Sequence, residues 1–288
     1  MQAVSDFVSA LGSTAKSVVK IALQSRMTAT RKADDAEKSP LIILANGPSL
    51  RQTIDDFGER LRDYPTLAVN FAGNSPEFTE LKPKYYVLAD PHFFRATDDE
   101  NVRRLLDNLS AVTWPMRLFV DRRYKNAFSN ALKLPDNVSL EGFNAVGAEG
   151  FARFERMAYH SGLAMPRPRN VLIPSIMIGI RLGYKKIYIC GADHSWMRDI
   201  AVTDDNVVVS GMTHYYKEAE SEVKRSHTEY RGYRLHQIIN SYYVAFLSYH
   251  KIRRYADSVG VEIINSTPGS YIDAFNRAPL FSREPNCR

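Results

Sequence analysis

The sequence predicts a doubly wound α/β domain: a mostly parallel sheet with helices on both faces and a lid insertion. Three observations predict it. Apolar runs of four or five residues at 41–44, 66–69, 85–89 and 187–190, with 261–264 as a last strand, are too short for buried helices and read as strands, 41–44 as one buried on both faces. Most are separated by helical patterns, the alternation that lays strands parallel. Their carboxyl ends run into polar or small residues (Asn46, Asn70, Asp90, Gly191), and ligands of open α/β sheets settle along that edge. A chain of 288 residues that is 44% hydrophobic and 24% charged suits this architecture as one large or two small domains.

The amino-terminal arm comes first. Val4, Phe7, Val8, Leu11, Val18, Val19 and Leu23 fall at roughly helical spacing, and residues 1–33 carry Lys16, Lys20, Arg26, Arg31 and Lys32 against Asp6, five minus one, or +4. Such a helix either rests on an anionic membrane face through residues 2–26 or docks on the domain or a partner copy. It is too short in apolar run to span a bilayer and lacks the basic start of a secretory signal. Residues 27–40 read as a polar linker, so 1–40 form the arm, 41–280 the domain and 281–288 a tail.

The organising stretch is 41–50, LIILANGPSL. A buried strand meets the turn Ala45-Asn46-Gly47-Pro48-Ser49, where Gly47 admits close approach and Pro48 fixes the exit, before a helix over 52–61. The turn matches neither a Walker loop nor a dinucleotide fingerprint. Strand 66–69 ends at Asn70 and strand 85–89 at Asp90-Pro91-His92. On a parallel sheet Asn46, Asn70 and Asp90 gather on one rim, although each alone also suits a turn. Thr97-x-x-Glu100 has capping-box spacing, predicting a helix over 98–108. A strand at 115–120 and a helix at 122–132 follow. Glycines, prolines and aromatics break the pattern at 135–168, read as an insertion or lid.

Regularity returns at 169–196. Ile173, Ile176, Met177 and Ile180 mark a helix that Gly183 stops. Strand 187–190 delivers Gly191-Ala192-Asp193-His194, a second small-residue turn topped by a carboxylate and an imidazole. Residues 197–233, rich in His and Tyr, read as a second lid or binding segment. A long helix over 235–258, a strand at 261–264 and the turn Thr267-Pro268-Gly269-Ser270 leading into a short helix complete the chain. Two cysteines, Cys190 and Cys287, make no disulfide framework and suggest a reducing, cytoplasmic setting. A net charge of +6 scattered among acids fits an anionic substrate or surface better than nucleic acid.

In this order the pieces ANGPSL, a strand ending in Asn, a strand ending in Asp-Pro, LGYKKIYICGADHSW and a late strand leading to STPGS resemble the bacterial sialyltransferases of glycosyltransferase family 42. They also resemble the related motility-associated-factor glycosyltransferases and the MptE-like pterin diphosphokinases. The resemblance spreads over 41–275, with its specific anchors in the Asn-Gly-Pro-Ser-Leu turn and the 182–193 segment. It implies a Rossmann-like fold and a metal-independent, inverting transferase that takes a nonulosonic-type sugar from its CMP ester and passes it to a glycan acceptor, with no resident cofactor. The donor-binding residues it implies are Asn46, Gly47, Pro48, Ser49, Asn70, Asp90, Asn170, Gly191, Ala192 and Asp193. The turn amides would face phosphate and ribose, and the Gly191 and Ala192 backbone the cytosine. Asp90 and Asn170 depart from the family pattern, and a carboxylate at 90 suits ribose hydroxyls better than phosphate.

A CMP ester already has a good leaving group, so the chemistry needs alignment, a base for the acceptor hydroxyl and donors for the departing phosphate. The family's base lies just ahead of the long helix, which points to His236, with His214 and His227 in reserve; Tyr215 and Tyr216 are candidates for the phosphate. The pterin diphosphokinase alternative would use ATP and magnesium held by Asp90, Asp193 and Asp199. A zinc set of Asp90, His92, Asp193 and His194 lacks ligand spacing. A non-catalytic nucleotide-binding scaffold would keep the Asn46 turn without needing His236, and a homo-oligomer fits any of these.

Overall fold

The structure is a computed structural model and describes residues 2–28, 30–95, 98–210 and 232–281. Its strands are β1 (Leu41–Leu44), β2 (Thr66–Val69), β3 (Tyr85–Leu88), β4 (Met116–Asp121), β5 (Val138–Phe143), β6 (Lys186–Cys190), β7 (Ile200–Val202), β8 (Val208–Ser210), β9 (Glu262–Asn265) and β10 (Asn276–Arg277). Eight of them form a parallel sheet in the order β10-β9-β6-β1-β2-β3-β4-β5, and β7 and β8 pair antiparallel beside it. The chain winds outward from β1 to β5, then returns to lay β6 on the other side of β1. That reversal is the switch point at which open α/β sheets open a crevice.

Because strand side chains alternate, the short apolar runs feed two cores. Ile42, Leu44, Tyr86 and Leu118 face helices α2 (Leu50–Leu61), α3 (Glu77–Leu81) and α5 (Glu100–Ser110), whereas Ile43, Leu67, Val87 and Ile189 face α7 (Ala152–His160), α8 (Leu172–Arg181) and the 24-residue α9 (Leu235–Ser258). Short α4 (His92–Arg95) and α6 (Arg122–Ala131) complete the layers. The doubly wound α/β architecture expected from the sequence is the one observed.

Several expectations need correction. Residues 135–168 are not a lid: β5 pairs with β4 over six positions, Arg117 and Glu141 bridge it at 2.6 Å, and Tyr159 of α7 is in the main core. The alternation Val138-Ser139-Leu140-Glu141 is that of an edge strand, buried on one side only. Of the second supposed lid, 200–210 is the β7–β8 hairpin, whose Val208 packs on Ile238 and Tyr242 of α9, and 211–231 lie outside the described residues. Helix α5 begins at Glu100, because Asp99 accepts from the Asn101 and Val102 amides; Thr97, the expected cap, lies outside the described residues. The Thr267–Ser270 turn leads to β10 rather than to a helix.

The arm forms helix α1 (Gln2–Gln24), held by hydroxyls. Thr14 Oγ1 accepts from the Phe151 amide at 3.0 Å, Ser17 Oγ donates to Glu149 O at 2.8 Å, and Ser25 Oγ donates to Leu163 O at 2.6 Å. The linker after it is polar but docked. Ala33 N–H donates to Leu182 O, and Asp35 accepts from Tyr184 Oη at 2.8 Å and Lys84 Nζ at 2.6 Å.

Candidate functional site

Two turns meet at the switch point. Past the end of β1, Ala45 N–H donates to Cys190 O at 2.9 Å and Gly47 N–H to Gly191 O at 2.7 Å, so the β1–β6 ladder continues into the loops. A Cβ on Gly47 would lie 2.0 Å from Asp193 Oδ2 and 2.5 Å from Gly191 O. Gly191 itself has φ 71°, in the region that favours glycine. Asp193 Oδ2 accepts from Ser49 Oγ at 2.8 Å and Ser49 N–H at 3.3 Å, placing a carboxylate at the head of α2, where the helix dipole favours negative charge.

This overturns one expectation. Pro48 has no N–H, and the amides of Gly47, Ser49, Leu50 and Arg51 are all committed within the protein, so the turn is a staple rather than a phosphate cradle. The second turn is equally engaged: Ala192 N–H donates to Thr267 Oγ1 at 3.0 Å and Ala192 O accepts from Ser270 Oγ at 2.6 Å. Gly191 O accepts from Gly47 N–H, so both carbonyls of this turn are tied to the fold through one of their two lone pairs.

The rim beyond the staple is more open chemically. Asn70 has φ 48°, a left-handed conformation that Asn tolerates better than most residues, and its Oδ1 is buried with no hydrogen-bond partner among the described residues. Its carbonyl accepts from Tyr86 Oη, which in turn accepts from Gly73 N–H at 2.7 Å. Tyr86→Phe is therefore expected to destabilise the protein by about 1–3 kcal/mol, since it strands a buried donor and acceptor together; urea denaturation checks this. Asp90 accepts from the His92 amide at 2.8 Å through Oδ1, starting α4, while His92 Nε2 bonds Asp99 Oδ2 at 3.0 Å.

Asn170 is tied to the second turn through α9. Its Oδ1 accepts from the Leu172 and Ile173 amides and from Tyr249 Oη at 3.0 Å. Tyr249 Oη also lies 2.6 Å from His194 Nε2. An amide oxygen only accepts, so Tyr249 spends its proton on Asn170 and must accept from His194 Nε2–H, leaving the imidazole lone pair on Nδ1. Asn170 Nδ2 is buried with no hydrogen-bond partner among the described residues. His194 is buried, sits at φ 52°, and has its ring centroid 4.1 Å from that of Trp196. Burial pulls its pKa down to about 3.

That shift has a pH consequence. Above pH 6.5, the ordinary value, His194 is neutral folded or unfolded. Below it the unfolded chain takes up a proton that the folded one refuses, so stability falls as pH drops from 6.5 toward 3. By about pH 5 the loss is roughly 2 kcal/mol. Urea denaturation at about pH 7 and 5 should show that difference in the wild type and a smaller one in His194→Gln.

In the sequence alone His194 stands out only as a zinc-ligand candidate, and its place directly after Asp193 is the signal of a further role. His236 is exposed in the first turn of α9, about 20 Å along the helix axis from Tyr249 at 1.5 Å per residue, so the structure does not bring it to His194. His214, His227, Tyr215 and Tyr216 lie outside the described residues, as does the side chain of Asp199. Asp90, His92, Asp193 and His194 do not converge as a zinc set: among the described residues no three His, Cys, Asp or Glu side chains gather as a metal site. Cys190 is buried, its thiol pushed up to about 12 by burial.

A cavity of about 580 Å³ opens at the opposite, amino edge, among Asp35, Arg62, Glu80, Lys82 and Lys84. Its charges largely compensate one another, Lys84 with Asp35 at 2.6 Å and Arg62 with Glu80 at 3.8 Å, so it offers an anion little net field. The switch-point rim is the better candidate.

No protein-family model matches the chain, and no curated protein matches it. Among solved structures, a MAf glycosyltransferase from Magnetospirillum magneticum AMB-1 superposes with a TM-score of 0.49 at 10% identity, covering 88% of this chain and 35% of that one. The chain thus spans about a third of that protein's length.

Proposed function

We propose that the protein is a glycosyltransferase of the inverting, metal-independent kind, passing a nonulosonic-type sugar from its CMP ester to a glycan acceptor. One observation carries the reading. Asn46, Asn70, Asp90 and the 191–193 turn follow four adjacent parallel strands, β1, β2, β3 and β6, and share one edge. Four strand ends at about 4.8 Å spacing cover roughly 14 Å, the reach of a nucleoside monophosphate with a sugar attached. The motif resemblance of 41–50 and 182–193 supports the same reading.

Within it the ligand lies along the rim beyond the staple. Asn70 Oδ1 accepts from a ribose hydroxyl or an exocyclic amine, and the free side of the Asp90 carboxylate takes a second hydroxyl. His194 takes the place given to His236: Tyr249 fixes its tautomer, and Nδ1 receives the acceptor hydroxyl. A neutral imidazole with so low a pKa is a weak base alone, and an anionic donor beside it raises its proton affinity.

Calorimetry with CMP, UDP and ATP, with and without magnesium, tests the donor, followed by a CMP-sugar hydrolysis assay. CMP is expected to bind best, and without a magnesium requirement. Magnesium-dependent ATP binding in its place would replace this reading with pyrophosphoryl transfer.

A further inference from the structure

Helix α1 docks through one mixed face and leaves an apolar one outward. Thr14, Ser17 and, just beyond the helix, Ser25 bond the body, with Phe7 against Phe151 and Ile21 on the core, while Val4, Val8, Leu11, Val18, Val19 and Leu23 are each 49–71% exposed. At 3.6 residues per turn these six form one stripe along the whole helix. Lys16 and Lys20 lie on its flank, between the stripe and the docked face, and Arg26 follows; Asp6 is the helix's only acid. Among the described residues neither lysine has an ion pair. Two of the docking partners, Glu149 and Phe151, belong to the segment that leaves the carboxyl end of β5, so α1 sits toward the edge of the sheet that carries the rim.

We propose that α1 seats the protein on an anionic lipid surface, with the apolar stripe in the headgroup layer and Lys16, Lys20 and Arg26 against lipid phosphates. Charge complementarity selects this occupant. A helix that lies in the interface needs one apolar face and cations beside it. Pairing with a second copy through the same stripe is favoured by opposite charges along the flanks, and α1 offers two lysines against one distant Asp6. No helix among the described residues is long and apolar enough to cross a membrane. The proposal is independent of the transferase reading.

Flotation of the full chain with phosphatidylcholine vesicles, with and without phosphatidylglycerol, tests it. Binding to the anionic vesicles is expected to exceed that to the neutral ones by about tenfold or more and to weaken as salt is raised. Leu11→Glu/Val19→Glu should abolish it, with circular dichroism and Tm unchanged because both positions are exposed. Lys16→Glu/Lys20→Glu, which leaves the stripe intact, should reduce it by about tenfold or more. No flotation with anionic vesicles, or flotation that survives both variants, overturns the proposal. So does a dimer in light scattering that Leu11→Glu/Val19→Glu dissolves, which would assign the stripe to a second copy.

Discussion

Gly47→Ala is expected to destabilise the protein by about 3 kcal/mol or more and to remove nucleotide binding with it. The added Cβ would stand 2.5 Å from the Gly191 carbonyl oxygen and 2.0 Å from Asp193 Oδ2. The carboxylate can swing away only by giving up both bonds to Ser49, and the carbonyl cannot move without breaking the Gly47 N–H bond it accepts. Either response separates the β1 and β6 turns. Gly58→Ala is the control: in α2 its new Cβ meets only Ile54 Cγ2, at 3.5 Å, so helix propensity dominates and stability should hold or rise by up to about 1 kcal/mol. Urea denaturation of both variants, with CMP calorimetry on whatever folds, makes the comparison. A Gly47→Ala protein as stable as the wild type would mean that the staple is not rigid.

His194→Gln should lower kcat for CMP-sugar turnover by roughly a hundredfold while leaving the donor KM within about threefold. Glutamine keeps an N–H for Tyr249 but puts no basic nitrogen where Nδ1 stands. Tyr249→Phe removes both the proton given to Asn170 and the acceptor for His194, and should lose a smaller part of kcat by freeing the ring. His236→Ala, about 20 Å along α9 from Tyr249, should change kcat by less than about tenfold. If His236→Ala loses a hundredfold and His194→Gln loses nothing, the roles of the two imidazoles are reversed.

Most strands were legible because burial on both faces leaves short apolar runs, and the rim because Asn46, Asn70 and Asp90 come just past three of them and the small pair Gly191-Ala192 past a fourth. Strand β5 was not, since an edge strand shows weak alternation amid glycines. The commitments of the turn amides were also hidden. Gly47 N–H and Ser49 N–H have partners in the 191–193 segment, and a sequence pattern carries no record of which donor meets which acceptor across that separation. The His194–Tyr249–Asn170 chain joins residues 55 and 79 positions apart, so nothing local to any one of them signals it. His236 stands out in the sequence by its place at the start of a long helix. That helix is as long as expected, and its length is what carries His236 away from Tyr249.

Asp193 has a consequence for selectivity. It supplies from within the chain the anion that the head of α2 attracts, so an incoming phosphate must compete with a tethered rival whose effective concentration is on the order of millimolar or higher. Nucleotides that bind by inserting a polyphosphate tail at a helix head are therefore handicapped here. Ligands that engage the edge through hydroxyls and a base keep their advantage.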